Sequence, residues 1–134
     1  MTSTVIYKGD LRTELTHFES GNVILTDAPK DNHGKGEAFS PTDLVATALG
    51  SCMLSIMGIY AKQHQLDIEG AKVEIEKGME ANPRRIGRIG AVITMPAKAY
   101  SDKDKSALEH AAFTCPVAKS LHSDLVQDVK FVWS

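Results

Sequence analysis

Apolar and polar residues alternate with a period of two over much of the first forty positions. "TVIYKG", "LRTELTHF" and "NVILTD" are short runs of this kind, separated by Gly-Asp and Glu-Ser-Gly-Asn turn signals. Such runs bounded by turn residues predict about three antiparallel strands. "APKDNHGKGEAFS" (Ala28 to Ser40) is polar, carries two glycines and reads as a mobile loop. The pattern then changes. Ser40 suits an N-cap, Pro41 the first helical position and Asp43 the first turn, where a negative charge favours the helix dipole. A helix is predicted from there through Cys52 to about His64. In "LDIEGAKVEIEKGME", Ala71, Val73 and Ile75 alternate with Lys72, Glu74 and Glu76, a half-buried strand, and "ANPRR" turns the chain into a second, "IGRIGAVITMPA". Ser101 caps a further helix with Asp102 and Asp104 in its first turn. The chain breaks near Cys115-Pro116, makes a short helix to about His122 and ends in "DVKFVWS", where Val129, Phe131 and Trp133 alternate. The order β-β-β, long α, β-β, α-α, β predicts an α+β fold with mainly antiparallel sheet, as one domain over residues 1–134.

The long helix raises a membrane question, since eighteen residues between Asp43 and Lys62 carry no charge. Thr47, Gly50, Ser51, Ser55 and Gly58 dilute its apolarity, and no basic cluster flanks one side. A helix apolar all round is otherwise one surrounded by protein. One small sheet and two short helices cover it poorly, so the pattern points to a homodimer that buries two such helices against each other.

Composition narrows the classes. An apolar fraction of 43% with 24% charged residues is that of an ordinary globular protein. A net charge of -2 leaves no basic footprint for nucleic acid. "MTSTVIYKGD" has no basic region followed by an apolar run, so the expected location is the cytoplasm, where cysteine pairs are more often reduced or catalytic than structural.

The chain has two cysteines. Cys115 precedes Pro116, which puts it at or next to a helix N-cap, where free N–H groups and the dipole favour a thiolate. Its plain alternative is a small residue that happens to precede a helix. Cys52 shares a register with Ala48, Ile56 and Tyr60 inside the apolar helix, and by itself reads as a small core residue. Their separation excludes a CxxC motif or a local zinc knuckle and leaves a long-range dithiol open. His17, His33, His64, His110 and His122 show no metal-ligand spacing, and "HGKG" and "IGRIG" are neither phosphate loops nor dinucleotide fingerprints. Arg84, Arg85 and Arg88 read as solvated turn and strand charges. Leu49, Met53, Ile56 and Met57, around Cys52, read as core.

"SPTDLVATALGSCML" followed much later by "TCPVAKSL" resembles the OsmC/Ohr superfamily of osmotically inducible and organic-hydroperoxide-resistance proteins, in particular its less characterised OsmC-like branch. The resemblance extends over essentially the whole chain. It implies an intertwined homodimer with antiparallel sheets around two long central helices, and a cofactor-free thiol peroxidase that prefers organic hydroperoxides. Cys52 matches the peroxidatic thiolate and Cys115 the resolving thiol. An external dithiol, in the better-known branches a lipoyl-bearing protein, restores the pair. The family's catalytic carboxylate directly follows the helix-starting proline. Here that position is Thr42, and the acid comes one later, at Asp43, a rotation of about 100° away. The family's catalytic arginine comes from the N-terminal strands, where Arg12 matches by position. Alone, Arg12 reads equally as a solvent-facing residue of an alternating strand.

The expected function is a thiol-dependent hydroperoxide reductase using Cys52 and Cys115, without metal, nucleic acid or membrane. The alternative is a non-catalytic OsmC-like protein that senses oxidants or binds a small apolar or electrophilic ligand.

Overall fold

Strand alternation, turn residues and caps place the elements close to where the pattern predicts them. The computed structural model describes all residues 1–134. In chain order they are β1 (Ser3–Gly9), β2 (Arg12–His17), β3 (Val23–Asp27), α1 (Pro41–Gln63), β4 (Lys72–Glu80), β5 (Arg85–Thr94), α2 (Asp102–Phe113), α3 (Pro116–Ser120) and β6 (Val126–Val132). The fold is α+β, with two three-stranded sheets and one long helix. The chain divides into two compact units, Met1–Val45 and Ala46–Ser134, so α1 begins in the first and continues through the second.

The first unit holds the antiparallel sheet β1-β2-β3. Its register sets Val5 opposite Leu15 and Leu15 opposite Ile24 on one face, and Ile6, Glu14 and Leu25 in line on the other. Both faces expose apolar side chains, among them Val5, Ile6, Tyr7, Ile24 and Leu25. The segment after β3 is hydrogen-bonded back onto its own unit. A 3-10 turn occupies Lys30–Asn32. Gly36 N–H donates to Ala28 O, Glu37 N–H to the Asp27 carboxylate and Asp27 N–H to Phe39 O. The start of α1 is a reciprocal cap. Asp43 N–H donates to Ser40 Oγ and Ser40 N–H donates to Asp43 Oδ2, each at 3.0 Å.

The second unit is built on the sheet β4-β5-β6. β4 and β5 pair antiparallel, whereas β6 runs parallel to β5 after the crossover through α2 and α3. Register aligns Val73, Ile93 and Phe131, and then Ile75, Ala91 and Val129, on the face that meets the helices. Ala46, Leu49, Met53, Met57 and Ala61 form the buried stripe of α1, at helical spacing. Gly50 lets this helix sit close on the sheet: a Cβ there would lie 2.8 Å from Val73 Cγ1. Leu108 and Ala112 of α2 and Cys115 join the same core. The opposite flank of α1, with Ser51, Ser55 and Ile59, is exposed. By length and composition α1 could cross a membrane, and its buried stripe is that of a core helix.

Candidate functional site

The two cysteines, distant in sequence, come together in the second unit. Cys52 sits on α1, half-buried, at the edge of the stripe formed by Leu49, Met53 and Met57. Cys115 is carried there by the joint between α2 and α3. Ser101 accepts Asp104 N–H to start α2, which runs to Phe113. Thr114 closes it through Ala111 O, and Pro116 opens α3 one residue after Cys115. Gln127 Nε2 donates to Ala118 O at 3.0 Å, which ties α3 to β6.

Cys115 is the N-cap of α3, as its place before a proline predicts. Its Sγ accepts the Ala118 N–H at 3.2 Å. The expected thiolate, however, does not follow. Cys115 is fully buried, and burial pushes its thiol above the ordinary value. The Ala118 and Val117 N–H groups pull the other way, and the neighbouring Cys52 thiol adds to the rise. Cap and dipole are outweighed by desolvation, so the proton stays on Cys115. Both cysteines are free thiols.

Arg12 is not merely solvent-facing. It lies directly opposite Asp27 across β2 and β3, and its Nε and Nη2 donate to the two Asp27 carboxylate oxygens at 2.7 and 2.8 Å. Nη2 also donates to Glu37 at 3.1 Å. Asp27 is 1% exposed and takes the Glu37 N–H as well, so three donors converge on one buried carboxylate. This fork-on-fork arrangement raises the affinity of Arg12 for its proton and holds Asp27 well below the usual carboxylate range. Asp27 and Glu37 were not singled out by the sequence reading. The signal available was a charged residue closing the apolar strand "NVILTD". Asp43, within the same unit, accepts the Ser40 N–H and so is part of the helix cap.

The remaining groups have local roles. All five histidines are exposed, and no cluster of three or more His, Cys, Asp or Glu could hold a metal ion. A depression of about 340 Å³ on the outer face of the second sheet is lined by Glu74, Glu76, Arg88, Asp128 and Lys130. Arg88 spends its guanidinium there on Glu76 and Asp128, so the depression has internally paired charges.

Against known proteins, the OsmC-like protein family matches residues 34–130, most of the chain and both cysteine motifs. The chain belongs to the OsmC-like family. A crystal structure from Psychrobacter arcticus 273-4, of a protein described as an osmotic stress induced and detoxification response protein, is 51% identical. It superposes with a TM-score of 0.94 over 98% of this chain and 95% of that one. OhrB of Bacillus subtilis, an organic hydroperoxide resistance protein, shares the fold at a TM-score of 0.66 and 18% identity, over 100% of this chain and 98% of that one. The uncharacterized protein YmaD of Bacillus subtilis (strain 168) is 25% identical over 127 residues, covering 85% of this OsmC-like chain and 81% of that protein.

Proposed function

We propose that this OsmC-like protein is a thiol-dependent hydroperoxide reductase. The observation that carries the reading is that Cys52 packs against the buried cluster that includes Cys115, with Cys52 the more accessible of the two. A Cys52 thiolate attacks the terminal oxygen of a hydroperoxide. The O–O bond breaks, the alkoxide leaves and takes a proton to become the alcohol, and Cys52 becomes a sulfenic acid. The Cys115 sulfur then forms the disulfide as water leaves with the sulfenic oxygen. An external dithiol reduces the disulfide and completes the cycle. Membership of a family that includes organic hydroperoxide resistance proteins supports an organic peroxide as substrate, and the apolar neighbours Met53, Ile56 and Met57 suit one.

The dimer belongs to this reading. Apolar residues stand exposed on both faces of the first sheet, and Ile59 on the uncovered flank of α1, which is more apolar surface than a monomer usually leaves to water. A second copy of the chain is the partner that would cover it, and sedimentation at micromolar concentration should give twice the mass of 14.5 kDa.

The rival reading, a sensor or ligand binder without turnover, draws on one specific observation. Thr42 stands where the family's carboxylate follows the proline, and the nearby Asp43 carboxylate already accepts a backbone N–H. Intact mass after one equivalent of cumene hydroperoxide separates the possibilities. The reduced protein should lose two hydrogens. Cys52→Ser should not react, and Cys115→Ser should accumulate a sulfenic or overoxidised Cys52. Added dithiol should then sustain turnover. One round of oxidation without turnover favours the sensor, and an unchanged mass would mean that Cys52 is packing.

A further inference from the structure

We propose that Gln127 is a positioning residue for the resolving cysteine: from β6 it holds the turn of α3 that seats Cys115, and so governs how fast Cys115 closes onto an oxidised Cys52. The inference deepens the peroxidase reading and rests on it for the closing step.

Gln127 interrupts an apolar row. Val129, Phe131 and Trp133 alternate along the end of the chain and pack against the core, and the same period puts Gln127 on their face. Register agrees, because Gln127 stands opposite Ile89 of β5, which is fully buried. An apolar side chain would serve packing there, whereas an amide on such a face needs a partner. This one spends its donor on α3, where Nε2 reaches Ala118 O at 3.0 Å.

α3 needs that donor. It is five residues long, Pro116–Ser120, too short to be stable by itself. Leu121 is extended, so His122, whose N–H would be the helical partner of Ala118 O, lies beyond the helix end. Within the turn, Lys119 N–H donates to Cys115 O at 3.2 Å and Ser120 Oγ donates to Pro116 O at 2.8 Å, and neither serves Ala118 O. Ala118 is thus held from both sides. Its N–H donates to Cys115 Sγ at 3.2 Å, and its carbonyl accepts from Gln127. Val117, Ala118 and Leu121 add apolar packing, which has no direction of its own, and the Gln127 hydrogen bond supplies the direction.

In the closing step the Cys115 sulfur bonds to the sulfenic sulfur of Cys52. The S–S bond forms, the S–O bond breaks, and the Cys115 proton leaves with the hydroxyl as water. Cys115 is oxidised and the sulfenic sulfur is reduced to the disulfide level. A sulfur on a turn held in one place meets the geometry of that step more often than one on a fraying turn.

The test uses the full reduced chain at pH 7 and two oxidants, cumene hydroperoxide and diamide. Diamide takes one thiol across its N=N bond, and the second thiol displaces the hydrazine, so it closes a disulfide without peroxide. Gln127→Met and Gln127→Leu remove the donor, and Gln127→Lys restores one. Mass spectrometry over time reads the Cys52 intermediate and the disulfide separately, with melting temperature followed in parallel. The donor-free variants should form the intermediate at the wild-type rate and close about fivefold more slowly, the size expected for one hydrogen bond. Gln127→Lys should close like wild type. A merely structural role would lower the melting temperature without separating the two steps. The inference is overturned if the donor-free variants close as fast as wild type, if both steps slow together, if lysine restores nothing, or if wild type forms no disulfide with either oxidant. If diamide shows the split while cumene hydroperoxide leaves Cys52 unoxidised, the peroxidase reading fails and the positioning role stands.

Discussion

Asp27 is the residue at which burial and charge are most sharply opposed. Its carboxylate is 1% exposed, which disfavours the charged form, yet Arg12 and the Glu37 N–H hold its pKa below the ordinary 3.8. A folded-state pKa below the unfolded one means that the native state binds the proton less readily. The stability from this group is therefore fully present above about pH 4 and lost as pH falls through the depressed folded value. Asp27→Asn should lower the melting temperature at pH 7, because Arg12 keeps only the exposed Glu37 and a buried partner is gone. It should also flatten the fall in melting temperature between about pH 4 and pH 2. Melts at pH 7, 4, 3 and 2 check both parts. A variant that loses stability on acidification as steeply as wild type would show that Asp27 does not drive this titration. Reading the sequence alone could place Arg12 on a strand but not opposite Asp27, because cross-strand partners follow from turn length and register rather than from spacing. Cys115 shows the same limit. Pro116 marks the helix start in the sequence, but the burial that overrides the cap comes with a core cluster drawn from α1 and β5, far along the chain.

At the scale of elements, the long helix was the most legible part of the chain. Ser40-Pro41 fixes its start, the uncharged run fixes its length, and α1 spans Pro41–Gln63, close to the expected bounds. Strand alternation was equally clear, but alternation carries no direction, so the parallel pairing of β6 with β5 was not readable. Nor was the reason for Gly50, which lies in the contact between α1 and β4. Alanine in place of a mid-helix glycine normally adds about 1 kcal/mol. Here the added methyl would lie 2.8 Å from Val73 Cγ1 and 3.0 Å from Ile75 Cδ1. Val73 is stiff at χ1 and sits on a strand, so it yields poorly. Overpacking of this kind costs about 1–3 kcal/mol. Gly50→Ala should therefore destabilise by up to about 2 kcal/mol in urea unfolding, and Gly50→Ala with Val73→Ala should recover part of the loss. A single variant more stable than wild type would mean that helix propensity, not the approach of α1 to β4, decides at this position.

For the whole molecule, the proposed function makes the oxidation state of the cysteine pair the central variable, because a bond between α1 and the α2–α3 joint would close a loop that contains β4, β5 and α2. A cross-link over a loop of this length removes chain entropy from the unfolded state, worth about 4 kcal/mol if it forms without strain. For a domain of this size that corresponds to a rise in melting temperature on the order of 10 °C. The same free energy acts in the other direction. Whatever the disulfide adds to the fold, the fold adds to the disulfide, and about 4 kcal/mol would lower its reduction potential by roughly 90 mV. In the proposed peroxidase the pair is re-reduced on every cycle, which such a bond would oppose, and closing it between α1 and the α2–α3 joint is expected to return part of the entropic gain as strain. The expectation is thus a stabilisation that is positive but well below about 4 kcal/mol. Thermal melts of the reduced and peroxide-oxidised protein, each with the oxidant removed, measure it, and Cys115→Ser treated in the same way shows how much of any change comes from overoxidation alone. An oxidised form that melts below the reduced one would mean that the two sulfurs reach each other only by distorting the core, and the pair would then act as a one-way oxidant trap rather than a cycling site.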